Sequence, residues 1–116
     1  MKKNKLTSLD SKPRKTFSLL RDKHLRRLTN FEKKVLKAAS TIPLGQVRSY
    51  KWLARKIGKP RAVRAVGHAL KQNPYPIIIP CHRVIKSDGS LGGYAKGKEL
   101  KRKLLLLEKY IAEIIK

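Results

Sequence analysis

The chain has 116 residues, with 30 Lys and Arg against 7 Asp and Glu and a formal net charge of +23. This length allows at most one domain, and no apolar stretch can span a bilayer or form a signal-peptide core. The charge far exceeds what solubility requires and favours a polyanion, with nucleic acid a better candidate than a membrane surface. A single cysteine excludes an intramolecular disulfide and a thiolate metal site, and indicates a reducing, cytoplasmic compartment.

Residues 1–28 are rich in Lys and Arg and have few apolar residues, without a clear period. We expect a basic arm over this range and a folded domain over residues 29–116. The arm is equally well interpreted as a solvated tail or as a segment that contacts DNA.

The predicted domain begins with a helix, because Thr29 and Glu32 have the spacing of a capping box. The apolar face of this helix runs to about Ser40, and residues 42–46 form a connector.

A helix-turn-helix follows. Ser49 can cap a second helix that ends at Gly58, and Pro60 suits the start of a third helix that runs to about Gln72. Two helices joined by a short, glycine-containing turn are typical of this motif. We therefore predict a mainly α fold with a short β element, a helix-turn-helix (winged-helix-like) DNA-binding domain.

The outward face of the third helix carries Arg64, Gly67, His68 and Lys71 at spacings of three and four. A basic face interrupted by glycine lets a backbone approach nucleic acid closely. The alternative is a solvated face with an incidental glycine. Because glycine lowers helix stability, the binding interpretation is favoured.

Residues 77–79 are three isoleucines that predict a short buried strand, directly before Pro80 and Cys81. A free cysteine is either a small buried hydrophobe or a nucleophile. The neighbouring His82 favours a nucleophile, because a thiol with a pKa of about 8.5 is little ionised at neutral pH and needs a base. His82 can remove that proton directly or through a water molecule.

The last segment predicts an amphipathic helix from Lys98 onward. Its apolar stripe consists of Leu100, Leu104, Leu107, Ile111 and Ile114. Glu108 lies in this helix with apolar residues at every i±3 and i±4 position, so no Lys or Arg of the helix pairs with it at the usual spacing. A carboxylate in such surroundings is costly unless it has a partner elsewhere. His82 is a natural partner, and the carboxylate would then fix its tautomer. A glutamate at the edge of the stripe that reaches water is the alternative.

Residues 79–84, Ile-Pro-Cys-His-Arg-Val, resemble the active-site signature of the O6-alkylguanine-DNA alkyltransferases, or methylated-DNA–protein-cysteine methyltransferases. The resemblance continues in order through residues 45–50, 64–67, 73–74 and 93–94 and through Glu108. It covers about residues 29–108, which match the C-terminal active-site domain of the family. Most members also have a separate N-terminal domain, in some cases zinc-binding. The basic segment of 28 residues before the matched region is too short to encode such a domain. This departure puts any zinc site in doubt.

The resemblance implies repair of duplex DNA without a cofactor. A monomer would bind through the minor groove and flip O6-alkylguanine into a pocket. Cys81 would take the alkyl group as a thioether, so each molecule would act once. His82 and Glu108 would activate the thiol, and Asn73 would hold the active-site turn in place.

Further roles are implied by the same resemblance. Arg64 would fill the gap left in the base stack, and Tyr50 would promote flipping and hydrogen-bond the guanine N3. Backbone groups at Cys81 and Val84 would read the guanine amine, while the loop at residues 94–95 closes over the base. The implied substrate pocket consists of Val84, Tyr94, Ala95 and Pro76.

Two other functions stay open on the sequence. The first is a lesion sensor or DNA-binding module in which Cys81 is inert. A related non-enzymatic group has tryptophan at this position, and Cys81 argues against membership of it. The second is a basic ribosomal or RNA-associated protein, against which Glu108 and the ordered set of motifs argue. Access to DNA implies a nuclear location in a eukaryotic cell.

Overall fold

The computed structural model describes residues 23–94 and 96–115. Within them the elements are α1 (Lys23–Arg26), α2 (Asn30–Ala39), β1 (Arg48–Ser49), α3 (Tyr50–Lys56), α4 (Val63–Lys71), a 3-10 helix (Cys81–Arg83), β2 (Val84–Ile85) and α5 (Lys98–Ile114). The predicted mainly helical fold with a short β element is confirmed. No helix in the described part of the chain has the length and apolar character needed to cross a membrane.

Helix α2 begins at the predicted capping box. The Thr29 hydroxyl accepts a hydrogen bond from the Glu32 amide at 3.0 Å, and the Glu32 carboxylate accepts one from the Thr29 amide at 2.9 Å. Two of the four free amides at the helix end are thereby satisfied. Val35, Leu36 and Ala39 of α2 are fully buried, so this helix lies at the centre of the core.

The folded domain begins before the predicted boundary at Thr29, which was wrong. Leu25 in α1 is 2% exposed and belongs to the core, and Leu28 packs against that core. The His24 ring meets the Tyr75 ring edge-on, with 6.0 Å between centroids. Leu25 and Leu28, three residues apart, pack in or against the core although the sequence around them is rich in Lys and Arg. The rest of the predicted arm, residues 1–22, lies outside the described residues.

Helices α3 and α4 form the predicted helix-turn-helix. The Ser49 hydroxyl caps α3 by accepting a hydrogen bond from the Trp52 amide at 2.9 Å. Helix α4 begins at Val63 and not at Pro60, because the preceding residues form a turn in which the Ala62 amide donates to the Lys59 carbonyl. The inner faces of the two helices close the core over α2, with Leu53, Ala54, Val66, Ala69 and Leu70 buried.

The β element lies elsewhere than predicted. Strands β1 and β2 pair in parallel, with Arg48 opposite Val84 and Ser49 opposite Ile85. Residues 77–79, the predicted strand, form a turn instead: the Ile79 amide donates to the Tyr75 carbonyl, and Ile77 has a φ of 78°. Of the three isoleucines Ile79 alone is buried. The prolines on both sides of this run favour a turn over a ladder of hydrogen bonds.

Helix α5 is confirmed, but the predicted apolar stripe is only partly buried: Leu104 and Ile111 are half-buried, and the other three members are exposed. Its buried residues are Lys101 and Glu108, which are 0% and 8% exposed. Leu107 and Ile114, members of the predicted stripe, are 54% and 81% exposed. The helical repeat of a sequence shows which residues share a face, but not which face packs against the domain. In α5 the packed face is the one with Lys101 and Glu108, because both side chains have hydrogen-bond partners in the domain.

The burial of Leu25 predicts that α1 stabilises the domain. Leu25→Ala should lower the free energy of unfolding by about 3 kcal/mol, the usual cost of truncating a buried leucine. A chain that starts at Thr29 should lose at least as much. Leu107→Ala, at an exposed position of α5, should change it by less than about 0.5 kcal/mol. Urea unfolding measures all three, and equal stability of Leu25→Ala and wild type would place α1 outside the folded unit.

Candidate active site

Cys81 opens the 3-10 helix at the end of the turn and is 5% exposed. The side-chain amide of Asn73 donates hydrogen bonds to the Ile79 carbonyl at 2.9 Å and to the Cys81 Sγ at 3.1 Å. Its oxygen accepts one from the Tyr75 amide at 2.9 Å. One buried asparagine thus spans the turn and holds the sulfur, the position that the family resemblance assigns to Asn73.

His82 follows Cys81 and points the other way, toward α5. Its Nε2 lies 2.8 Å from Oε2 of Glu108, and the imidazole is fully buried. An ionised carboxylate can accept a hydrogen bond but not donate one, so Nε2 carries the proton. The lone pair of the neutral imidazole is therefore on Nδ1, which is buried and has no partner among the described residues.

Glu108 has a second partner, Arg83, which the sequence analysis missed. The Arg83 Nε donates to Oε1 at 2.8 Å, and a terminal nitrogen donates to Oε2 at 2.9 Å. Burial alone would raise the pKa of the Glu108 carboxyl, but hydrogen bonds from His82 and Arg83 and the positive charge of Arg83 lower that pKa to about 2. The carboxylate stays ionised at every physiological pH.

The Cys81 thiol is not ionised at neutral pH. Burial raises its pKa, and the hydrogen bond from Asn73, its backbone amide and the positive charge of Lys101 offset this in part. Nucleophilic attack requires the thiolate. A base must therefore take the proton. The candidate is Nδ1 of His82, the residue that follows Cys81 in the chain.

Lys101 is a further site residue that the sequence analysis missed. Its side chain is fully buried, and its amine donates hydrogen bonds to the carbonyls of Leu91 at 2.5 Å and Gly93 at 3.1 Å. The amine also lies 3.5 Å from the Tyr50 hydroxyl. Burial lowers the pKa of Lys101 to about 8, while the neighbouring Cys81 acts in the opposite direction. The spacing of seven residues between Lys101 and Glu108, two helical turns, is the signal that could have placed both on one face.

An open cleft of about 590 Å³ lies above the thiol. It brings together all the residues predicted for DNA binding and two of the others: Arg64, Gly67, His68 and Lys71 on α4, with Tyr50, Cys81 and Tyr94. Lys86 also lines it, and no Asp or Glu is among the lining residues within the described chain. The cleft is thus positively charged, with a thiol at its wall.

Two aromatic hydroxyls narrow the cleft. Burial, followed by the nearby Cys81, raises the pKa of Tyr50 and raises that of Tyr94 to about 12. Both hydroxyls are therefore proton donors at neutral pH. A methyl group on Gly92 would lie 2.8 Å from the Tyr50 hydroxyl, and Gly92 also has a φ of 73°. Glycine is needed at that position for Tyr50 to occupy the cleft.

Two residues predicted for the substrate pocket are not brought into the cleft. Val84 is fully buried in β2, and Pro76 lies half-buried in the turn; neither lines the cleft. Ala95 lies outside the described residues. Within the described chain, no group of three or more His, Cys, Asp and Glu side chains is arranged to hold a metal ion.

The structure thus combines a helix-turn-helix, a parallel β1–β2 pair and a buried cysteine held by an asparagine. The family model for the 6-O-methylguanine DNA methyltransferase DNA-binding domain matches residues 30–110. The chain belongs to this family.

Similar proteins support the assignment. A methylated-DNA–protein-cysteine methyltransferase of Methanosarcina barkeri is 60% identical over 80 residues, which are 69% of this chain and 51% of that protein. The Mycobacterium tuberculosis protein OGT, solved in complex with DNA, is 54% identical with a TM-score of 0.70, over 71% of this chain and 50% of that one. Atl1 of S. pombe, solved with damaged DNA containing O6-carboxymethylguanine, is 35% identical with a TM-score of 0.60, over 67% and 74%. The chain spans about half the length of the curated relatives it matches.

The charge of Lys101 predicts a shift in thiol reactivity. Lys101→Met removes a cation that lowers the pKa of Cys81, so the thiol should ionise at higher pH. Lys103→Met, on the exposed side of the same helix, is the matched control and should leave the profile unchanged. The rate of Cys81 labelling by iodoacetamide across pH measures the shift. Superimposable profiles for both variants and wild type would show that Lys101 has no electrostatic effect on Cys81.

Proposed function

We propose that Cys81 accepts the alkyl group of O6-alkylguanine in DNA, in one irreversible transfer. The observation that carries the proposal is the cleft: a buried thiol beside a His82–Glu108 pair, under a basic helix-turn-helix face. The relatives named methylated-DNA–protein-cysteine methyltransferase and the neighbour solved with DNA support it. In this proposal residues 30–110 correspond to the C-terminal active-site domain of the longer members.

The chemistry balances within the site. The thiol proton moves to Nδ1 of His82, directly or through water, and Glu108 stabilises the imidazolium through Nε2–H. A bond forms between Sγ and the alkyl carbon as the bond from that carbon to O6 breaks. The electron pair passes to the guanine, which takes up one proton at N3 from the Tyr50 hydroxyl. The proton held by His82 then returns to Tyr50 through water, which restores both groups. The thioether that remains on Cys81 is stable, so each molecule reacts once.

The burial of the sulfur supports base flipping. Cys81 is 5% exposed, so a guanine stacked within a duplex cannot reach it. In the proposed complex α4 enters the minor groove, Arg64 fills the gap in the base stack, and Lys71 and His68 lie near the phosphates. Tyr50 crowds the phosphate and helps to turn the nucleotide out. The protein acts as a monomer, in the cytoplasm or, in a eukaryotic cell, in the nucleus.

A lesion sensor is the second candidate, and one observation favours it. The pKa of Cys81 is raised in the free protein, so the thiol is not activated before DNA binds. Atl1, whose solved complex contains DNA with O6-carboxymethylguanine, is similar over 67% of this chain. A sensor would bind the lesion and leave Cys81 unmodified.

Mass spectrometry separates the two functions. Incubation with duplex DNA that contains O6-methylguanine should add one methyl group, 14 Da by chemical composition and thus roughly the mass of one CH₂, to the peptide with Cys81. Cys81→Ser should bind the same DNA and gain no mass. Saturated binding by wild type without any gain in mass would contradict the transferase and support the sensor.

Gly67 gives a separate test of the DNA-binding face. A methyl group there would meet the Tyr50 ring at 3.8 Å and 3.9 Å, which is ordinary contact, so packing within the protein does not require glycine. Gly67→Ala should therefore stabilise the domain by up to about 1 kcal/mol. Because the proposed backbone approach to DNA is obstructed, affinity for duplex DNA should fall by about tenfold, or about 1.4 kcal/mol.

Ala65→Gly, at an exposed position of the same helix outside the cleft, is the matched control. It should destabilise the domain by a similar amount and leave DNA affinity unchanged. Thermal unfolding and fluorescence anisotropy measure the two properties. Undiminished affinity in Gly67→Ala would remove this helix face from the interface.

A further inference from the structure

Arg83 contacts Glu108, but no step of the proposed transfer described above assigns it a role. Its guanidinium makes three hydrogen bonds: Nε to Oε1 of Glu108 at 2.8 Å, one terminal nitrogen to Oε2 at 2.9 Å, and the other to the Ile42 carbonyl at 2.6 Å. The side chain is 14% exposed. A planar guanidinium that meets both oxygens of a carboxylate fixes its plane as well as its position.

We call the two hydrogen bonds from Arg83 to the Glu108 carboxylate the fork. The fork fixes the position of the oxygen atom that the imidazole contacts. Oε2 of Glu108 accepts from both Arg83 and His82, so the atom that orients the imidazole is held on its other side by the guanidinium. The third nitrogen fastens this group to Ile42, a buried residue that follows α2. Helix α5, the 3-10 helix and the end of α2 are thus joined at one carboxylate.

The positive charge of Arg83 also affects the charge balance between Glu108 and His82. A buried carboxylate with an imidazole as its single partner favours the imidazolium, because an opposite charge in contact stabilises the charged form. An imidazolium has a proton on Nδ1 and cannot accept one from the thiol. The positive charge of Arg83 in contact with Glu108 offsets the negative charge of the carboxylate, which reduces the attraction of that carboxylate for a second ring proton. Cys81, Tyr94 and, beyond Cys81, Lys101 are the other titratable groups around His82.

We propose that Arg83 is a positioning residue: it holds Glu108 in the orientation and charge balance that keep His82 neutral, with Nδ1 free to accept the Cys81 proton. The part of this proposal that concerns alkyl transfer rests on the proposed function. The part that concerns His82 does not, and it is tested without DNA.

The test is a titration of the His82 imidazole by ¹⁵N NMR in the full chain, which contains three histidines. Arg83→Met removes the charge and the fork, and the imidazole should then become protonated at a pH higher by about one unit or more than in wild type. Arg83→Lys keeps the charge but cannot span both oxygens and Ile42, so its shift should be smaller. Arg102→Met breaks the exposed pair of Arg102 with Glu99 on α5, and should leave the titration unchanged.

A double variant guards against a general loss of structure. Arg83→Met with Glu108→Gln removes both charges, so the titration should return to or below that of wild type. If the double variant keeps the raised titration, the charge of Glu108 is not the cause and the proposal is wrong. It is also wrong if Arg83→Met and Arg83→Lys melt at lower temperature while their His82 titrations superimpose on wild type, since Arg83 would then be merely structural.

Alkyl transfer gives the second readout. Arg83→Lys should react with methylated duplex between about ten- and a hundredfold more slowly than wild type at neutral pH, because the imidazole is less well oriented. Arg102→Met should react at the wild-type rate. A wild-type protein that transfers no methyl group would overturn the proposed function, while the imidazole titrations would still decide the role of Arg83.

Discussion

The buried carboxylate of Glu108 is the interaction on which the arrangement of the site depends. A carboxylate removed from water is tolerated when its oxygens are hydrogen-bonded and its charge is matched. Here His82 and Arg83, from one turn of 3-10 helix, meet both requirements. Because they follow Cys81 directly, the bonds that make α5 pack also orient the residues around the thiol.

Helix α5 is unusual because the residues that it buries most fully are charged. Its inner face has two buried charged side chains, Lys101 and Glu108, and each satisfies groups of a different loop. Lys101 holds the carbonyls of Leu91 and Gly93, the segment beside Tyr50 at the cleft. Glu108 holds the 3-10 helix. The helix therefore acts as a rigid support for both walls of the cleft, and several of its leucines face outward.

Stability and reactivity are balanced at the thiol. The Asn73 side chain donates a hydrogen bond to Sγ, yet burial keeps the pKa of the Cys81 thiol raised, so the thiol is not ionised in the free protein. A cysteine with little thiolate character is also less prone to oxidation. In the proposed function, the substrate itself completes the site when the base enters the cleft, and a protein that reacts once gains from an inactive resting state.

The sequence by itself determined the local features. The capping box at Thr29, the Ser49 cap and the helix-turn-helix follow from residue types at fixed short spacings, whose physics is confined to one turn. The apolar surroundings of Glu108 within its own helix predicted a partner elsewhere, and His82 is that partner in the structure.

Tertiary structure decided what short spacings cannot express. The isoleucine run became a turn because Asn73 bridges its ends and β2 takes the place beside β1. Helix α5 packs through the face that carries Lys101 and Glu108. Sequence analysis missed Arg83 and Lys101, because their hydrogen-bond partners lie 25 and 41 residues from Arg83 and 8 to 51 residues from Lys101 along the chain. Hydrogen bonds of buried charges depend on geometry between distant segments, and a linear pattern contains no information on which of two helix faces will find those partners.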